Sequence, residues 1–215
     1  MVGRSITTIG GAGGRLLGHA EDAPCTYTAR VNIHGATMAD AWIMRRKLAQ
    51  WAYSDGLANL VPTHDSTHHY RAICQSVSNP EFKWGACTVT VTFLLPDARL
   101  LENGSNTYSG TGSATFYRTG SAEPIIVVTF TPTSAVSAPT IKLNGTTVFG
   151  MTGTVSSGVP CVVDFDQKTL KVNGSYALNR ISYNKTDWHP AFQGYSNTVA
   201  VTNASVSVEV TNRWL

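Results

Sequence analysis

The sequence predicts a mainly β protein with one helix: an N-terminal α+β domain over residues 1–103 and a C-terminal β-sandwich or jelly-roll domain over residues 104–215. Three observations predict this fold class. One segment of the first half has the period of an amphipathic helix, several segments alternate between apolar and polar residues, and Asn-Gly turns separate short apolar runs in the second half.

The first strand of the N-terminal domain is predicted at Cys25–Ile33. Its residues alternate, with Tyr27, Ala29, Val31 and Ile33 on one face and polar residues on the other. A half-buried strand of this kind needs a cover for its apolar face.

The single helix is predicted at residues 38–54. Thr37 and Asp40 have the spacing of a capping box, and Ser54-Asp55-Gly56 offers a left-handed glycine to end the helix. The predicted sheet-facing side contains Ala41, Met44, Leu48 and Trp51/Ala52, and the opposite side contains Arg45, Arg46 and Lys47.

Two strands, Tyr70–Val77 and Gly85–Leu95, are predicted after the helix. A hairpin centred on residues 80–81 would place Cys74 opposite Cys87, so a cross-strand disulfide is one reading. Reduced cysteines that act as small buried apolar residues are the favoured reading, because thiols in a cytoplasm stay reduced.

A linker is predicted at residues 102–112, which contain almost no apolar side chains, and the domain boundary is placed after Asn103. Only β signals follow. Turns are predicted at Asn144-Gly145, Asp166-Gln167 and Asn173-Gly174. The predicted strands are Ala114–Arg118, Ile125–Thr131, Thr140–Leu143, Thr146–Phe149, Cys161–Asp164, Thr169–Val172, Asn197–Val201 and Ser205–Thr211.

Composition argues against several functional classes. The longest apolar runs are far too short to cross a bilayer, and no apolar leader precedes the predicted fold, so we expect folding in a cytoplasm. The net charge of +3 comes from 16 basic and 13 acidic residues without a basic stripe, which argues against specific nucleic-acid binding. Charged residues make up only 13% of the chain, as expected of a surface covered by neighbouring subunits.

Three groups of residues are candidate metal or phosphate sites, and a structural role is favoured for each. His64 and His68 lack the further ligands of a zinc site, and Asp164 and Asp166 lack the oxygen ligands of a calcium site. The glycine-rich stretch 10–15 lacks the Lys-Ser/Thr of a phosphate-binding loop. We therefore predict no catalytic residues, no metal, no cofactor and no enzymatic activity.

Trp188 and Tyr195 are the candidate sugar-stacking residues. Aromatic rings in loops can stack on a sugar, although aromatic residues in sandwiches are more often part of the core. A role in the core is therefore favoured over carbohydrate binding for both residues.

Three stretches together resemble the distal tail protein family of long-tailed, siphovirus-type bacteriophages. The first is the glycine-rich segment 8–17 followed by the strand Tyr27–Ile33. The second is the helix Ala39–Tyr53 followed by the strand that ends at Pro96-Asp97. The third is residues 161–199, with an Asp-ended strand, an Asn-Gly turn, Trp188 and the Gly-x-x-Asn of residues 194–197.

The resemblance covers nearly the whole chain and rests on loose motifs. Family members usually have extra strands before the glycine-rich loop, so we expect either a differently built barrel edge or an incomplete N-terminus.

The resemblance implies a tail-tube-like split barrel in the N-terminal domain and a galectin- or carbohydrate-binding-module-like sandwich in the C-terminal domain. It implies a homo-hexameric ring in the virion tail, assembled in the bacterial cytoplasm, with the tail tube protein on one face and the tail tip or baseplate hub protein on the other. DNA would pass through the channel without specific binding, and the sandwich would contact a receptor-binding protein or cell-wall glycan. The alternative function is a carbohydrate-binding or adhesin module acting in host recognition.

Overall fold

The computed structural model describes residues 2–3, 6–8, 15–17, 21–22, 24–33, 37–83 and 86–215. It divides into two compact units, residues 1–100 and 101–215. The predicted fold class, mainly β with one α-helix, is confirmed for these residues.

The N-terminal unit is built on an antiparallel sheet in the order β6-β7-β9-β5, with β8 paired to the start of β9. Two small ladders, β1 with β4 and β2 with β3, precede this sheet in the chain. The elements are β1 (Val2–Gly3), β2 (Ile6–Thr8), β3 (Arg15–Leu17), β4 (Glu21–Asp22), β5 (Cys25–Ile33), α1 (Met38–Ala52), β6 (Ala58–Leu60), β7 (His68–Val77), β8 (Glu81–Lys83), β9 (Ala86–Leu95) and β10 (Leu100–Glu102).

Helix α1 begins at the predicted capping box. The Asp40 amide donates to the Thr37 hydroxyl at 3.2 Å, and the Thr37 amide donates to the Asp40 carboxylate at 3.0 Å. The predicted glycine end is wrong: the helix ends at Ala52, and Tyr53 caps it in an extended conformation. The chain therefore leaves the helix without the left-handed residue that Gly56 was expected to supply.

The disulfide geometry predicted for Cys74 and Cys87 is wrong. Cys74 lies opposite Phe93 in the β7–β9 ladder, whereas Cys87 lies opposite Phe82 of β8. Strand β8 pairs with the first residues of β9. Strand β7 therefore pairs with later residues of β9 than it would in a direct hairpin. All four cysteines are free thiols.

The C-terminal unit is a β-sandwich whose longest strands contribute to both sheets. Its elements are β11 (Asn106–Tyr117), β12 (Ala122–Pro132), β13 (Val136–Ser137), β14 (Thr140–Leu143), β15 (Thr146–Gly150), β16 (Thr154–Val155), β17 (Cys161–Asp164), β18 (Thr169–Val172), β19 (Ser175–Tyr176), the 3₁₀ helices Leu178–Arg180 and Tyr183–Lys185, and β20 (Ser196–Trp214).

In the first sheet, the second half of β20 pairs with β12, and β17, β18 and β19 follow in that order. In the second sheet, the first half of β20 pairs with β14, which in turn pairs with β15. Strand β11 follows β20 through both sheets, with a register shift between Thr111 and Ser113. The rings of Tyr108 and Phe116 lie 6.5 Å apart although eight residues of straight strand span about 26 Å. The strand pair therefore turns a corner at this bulge, as strands that switch sheets do.

In the C-terminal unit, three strand predictions match to the residue, at β14, β17 and β18. The Asn144-Gly145 and Asn173-Gly174 turns have positive φ at both residues, as predicted. The linker predicted at residues 102–112 is wrong from Asn106 onwards, because β11 begins there. The two last predicted strands are the two halves of β20, separated by the corner at Asn203, whose φ is +53°.

The core lies between the two sheets. It contains Phe116 and Val199 from one sheet, Phe130 and Val208 from the other, and Phe149 of β15, all with at most 1% of their surface exposed. A core of this size holds the C-terminal unit together mainly by burial of apolar surface.

Candidate assembly surface

Helix α1 lies on the sheet through a narrow stripe of small and half-buried side chains. Ala41 is fully buried against Ile33, Cys87 and Val89, and Leu48 packs beside them. Ala52 packs at the far end of the stripe. Leu48 and Ala52 follow Ala41 by seven and eleven residues, which is the spacing of one helix face.

Arg45 belongs to this buried face, in contrast to the prediction that placed it on the opposite side. Its guanidinium donates to the carbonyl oxygens of Val77 and Ser78, each at 2.8 Å. Val77 is the last residue of β7, and Ser78 follows it. The arginine thus fastens the helix to the end of a neighbouring strand.

Two large apolar side chains that the sequence placed on the buried face are exposed instead. Trp51 is 72% exposed and Met44 is 42% exposed. They are seven residues apart, so they project from the same side of the helix, which we call the first flank. An exposed tryptophan is typical of residues that contribute most to protein–protein interfaces.

A second flank lies on the other side of the helix. Met38 and Trp42 are exposed there, four residues apart, and the Arg45 guanidinium lies 5.7 Å from the centre of the Trp42 ring. On a helical wheel, Trp42 and Trp51 point in opposite directions. The helix therefore presents apolar surface on both sides of its contact with the sheet.

The two predicted sugar-stacking residues lie in different surroundings. Trp188 is half-buried, with its ring 5.7 Å from that of Phe149 and 5.9 Å from that of Phe165. Tyr195 is exposed and lies 5.1 Å from the Tyr117 ring. Tyr117 was not singled out from the sequence, because its partner is distant in the chain.

A surface pocket of about 420 Å³ opens elsewhere in the C-terminal unit. The segment after the second 3₁₀ helix forms one wall, where the Asp187 amide donates to the Val148 carbonyl at 2.8 Å. The pocket is lined by polar side chains of both charge signs: Thr140, Thr147, Asn184, Lys185, Thr186 and Asp187.

Three of the four residues considered as metal ligands, His68, Asp164 and Asp166, take part in hydrogen bonds or ion pairs within the protein. Asp65 lies 2.7 Å from the ring of His68, and hydrogen bonds from His68 and then Thr67 lower the pKa of the Asp65 carboxyl. Asp164 accepts the amides of Asp166 and Gln167, as a turn-closing aspartate does.

Within the ranges that the structure describes, no group of three or more potential metal ligands occurs. Residues 10–14 of the glycine-rich stretch lie outside those ranges. For residues 2–22, the structure describes only backbone elements. Burial raises the pKa of the Cys161 thiol, which makes it a poor nucleophile. In the same described ranges, no helix is long and apolar enough to cross a membrane.

Comparison with known proteins finds one matching family model and similar solved structures. The family model for the C-terminal domain of the siphovirus-type tail component matches residues 119–214. A crystal structure of SPP1 Dit (gp 19.1), described as a paradigm of hub adsorption apparatus in Gram-positive infecting phages, aligns with a TM-score of 0.78 at 16% identity, covering 100% of this chain and 89% of that chain. No curated protein matches the sequence.

Proposed function

We propose that the chain is a siphovirus-type tail component, as its sequence resemblance predicts, and that it forms a hexameric ring that joins the tail tube to the tail tip or baseplate. The role is structural, and its place is the virion tail. The observation that supports a ring is the pair of exposed apolar flanks on α1.

A closed ring needs two different contact surfaces on each subunit. Each copy meets one neighbour with one surface and the next neighbour with the other, in a heterologous interface. The first flank, with Met44 and Trp51, and the second flank, with Met38 and Trp42, supply two such surfaces on one element. A two-fold dimer would need only one self-complementary patch.

The proposed partners follow from the ring. One face would meet the tail tube protein and the other the tail tip or hub protein, while DNA passes through the channel without sequence-specific contacts. We propose assembly in the cytoplasm of the bacterial host. The small net charge of +3, from 16 basic and 13 acidic residues, fits a channel that DNA crosses without being held.

Native mass spectrometry of the full chain tests the ring. We expect a species of six times the subunit mass of 23.0 kDa, growing with protein concentration. Trp51→Ala removes the largest exposed side chain of the first flank. A hot-spot residue contributes about 2 kcal/mol, so each contact should weaken about 30-fold.

Tyr183→Ala is the matched control, because this tyrosine is similarly exposed but lies in the C-terminal unit. It should leave the oligomer unchanged. A chain that stays monomeric at about 100 μM, far above the dissociation constant of a stable ring, refutes the proposal. So does a Trp51→Ala variant that assembles like the native protein.

A further inference from the structure

Two turns of the C-terminal unit contain an asparagine followed by a glycine, a pair that can modify itself. Asparagine is a thermolabile residue, and the backbone nitrogen of a following glycine can attack its side-chain amide carbon because no Cβ shields that nitrogen. The two turns are Asn144-Gly145 and Asn173-Gly174. Their φ angles are +50° and +86° in the first turn and +49° and +79° in the second, so the two backbones have nearly the same conformation.

The side chain of Asn144 is held away from its glycine by hydrogen bonds. Its amide group donates to the Asn197 side-chain oxygen at 2.8 Å, and its own oxygen accepts the Thr198 amide at 2.9 Å. The Asn144 backbone amide donates to the Thr198 carbonyl at 2.8 Å. Two side-chain hydrogen bonds must therefore break before the side chain of Asn144 can turn towards Gly145.

The side chain of Asn173 lacks this protection. Asn173 and Gly174 are both exposed, and among the residues that the structure describes, none forms a hydrogen bond with the Asn173 side chain. Only its backbone is held, by a hydrogen bond of 2.8 Å from the Asn173 amide to the Pro160 carbonyl.

The hairpin around Asn173 is also the shorter of the two. Strand β19 pairs with β18 at two positions, at the edge of the sheet. Strand β14 pairs with β15 at four positions and also pairs with β20. A short, exposed hairpin opens more often than one joined to the core, so Asn173 reaches a reactive conformation more often than Asn144 does.

We propose that Asn173 is a site of spontaneous deamidation in the folded protein, whereas Asn144 is protected. The Gly174 nitrogen loses its proton to solvent and forms a bond to the Cγ atom of Asn173. The bond from Cγ to Nδ2 breaks, and Nδ2 takes up a proton and leaves as ammonia. Water then opens the cyclic imide at either carbonyl, which gives aspartate or isoaspartate. In sum, one amide and one water molecule become a carboxylic acid and ammonia, without an enzyme or an oxidant.

The product changes the charge of this edge of the sandwich. Residues 167–186 contain four basic residues and no acidic residue, so conversion of Asn173 introduces the first carboxylate of this segment. Isoaspartate also adds one carbon atom to the main chain at the turn, which disturbs the pairing of Val172 with Ser175. The charge of the segment thus depends on the age of the protein. The proposal does not depend on ring formation.

Storage of the full chain in a mildly alkaline buffer tests the proposal, because the Gly174 nitrogen loses its proton more easily there. Trypsin releases the two asparagines in separate peptides, residues 172–180 and 143–168. Mass spectrometry follows the conversion of each peptide, and an isoaspartate-specific methyltransferase detects the isoaspartate product. We expect Asn173 to convert faster than Asn144 by about ten-fold or more, because the Asn144 side chain must first break two hydrogen bonds.

The chain unfolded in urea is the matched control, because in both peptides the asparagine is followed by glycine and then by a residue with a hydroxyl group. The two rates should be similar there. An Asn173 that stays unmodified in the folded chain overturns the proposal. So does a ratio of the two rates that is the same in the folded and the unfolded chain.

Asn173→Gly distinguishes Asn173 from Asn179, which lies in the same peptide. Glycine adopts positive φ at no steric cost, so this variant keeps the turn. Its peptide of residues 172–180 should keep a constant mass during storage. A gain in mass at the native rate would assign the reaction to Asn179 and overturn the proposal.

Discussion

Replacement of Arg45 by methionine tests whether this side chain fastens α1 to the sheet. Methionine keeps the apolar stem and removes the guanidinium, so the two hydrogen bonds to Val77 and Ser78 are lost. Hydrogen bonds that involve a charged group contribute about 1.5 kcal/mol each at the low end. Arg45 is half-buried, so solvent screening reduces the sum from about 3 to about 2 kcal/mol.

Hydrogen exchange followed by mass spectrometry measures this loss where it occurs. A destabilisation of about 2 kcal/mol increases exchange about 30-fold in the peptides of α1 and β7, if they open together. The C-terminal unit should exchange at its native rate, because it has its own core.

Arg46→Met is the matched control. Arg46 is the next residue in the helix and is exposed, so its replacement should change stability by no more than about 0.5 kcal/mol. Equal exchange in the Arg45→Met and Arg46→Met variants would refute the role assigned to the Arg45 hydrogen bonds. Faster exchange spread evenly over residues 101–215 would refute its local character.

Two further predictions concern a carboxylate and a glycine. Hydrogen bonds from His68 and Thr67 lower the pKa of the Asp65 carboxyl, so the stability that Asp65 contributes is present above its unfolded pKa and is lost as pH falls through the lower folded value. NMR titration should show that the pKa of Asp65 rises in the His68→Ala variant. An unchanged pKa would contradict the assignment. Gly110→Ala would place a Cβ 2.0 Å from the Ser113 carbonyl oxygen at the strand corner, so we expect a loss of about 2 kcal/mol or more in urea unfolding. Ser109→Ala, at the exposed neighbouring position, should cost about 0.5 kcal/mol, and an equal cost for both would contradict the steric argument.

Local patterns in the sequence predicted much of the fold. The bounds of β5, β14, β17 and β18 were predicted to the residue, because each combines alternation with a clear turn or polar boundary. The capping box of α1 could also be predicted, because Thr37 and Asp40 lie within one turn of each other. These features depend on neighbours only a few residues away.

Features that depend on distant residues were missed. Residues 106–111 look like a linker because their side chains are small and polar, and they form a strand only by pairing with the end of β20, about a hundred residues later. The orientation of α1 also depended on a distant partner. From the sequence, Ala41 and Leu48 can share the buried face of the helix with either Met44 or Arg45. Arg45 occupies this face because its guanidinium donates to the carbonyls of Val77 and Ser78.

The candidate sites also combine features that depend on near neighbours with features that depend on distant residues. Tyr195 was named from the sequence as a candidate sugar-stacking residue, although a core role was favoured, and its stacking partner Tyr117 lies 78 positions earlier and had no local signal. The exposure of Trp51 likewise could not be read from periodicity alone, because it lies at the edge of the apolar stripe. Aromatic residues at the margin of a predicted helix face are therefore worth testing as contact residues.

The course of β20 has a consequence for biosynthesis. This strand is the last of its unit to leave the ribosome, yet β11, β12 and β14 all pair with it. Until it emerges, those three strands have unpaired backbone edges, and neither sheet can close over the core. The C-terminal unit must therefore fold after translation of residues 196–214, in one late step governed by long-range pairing.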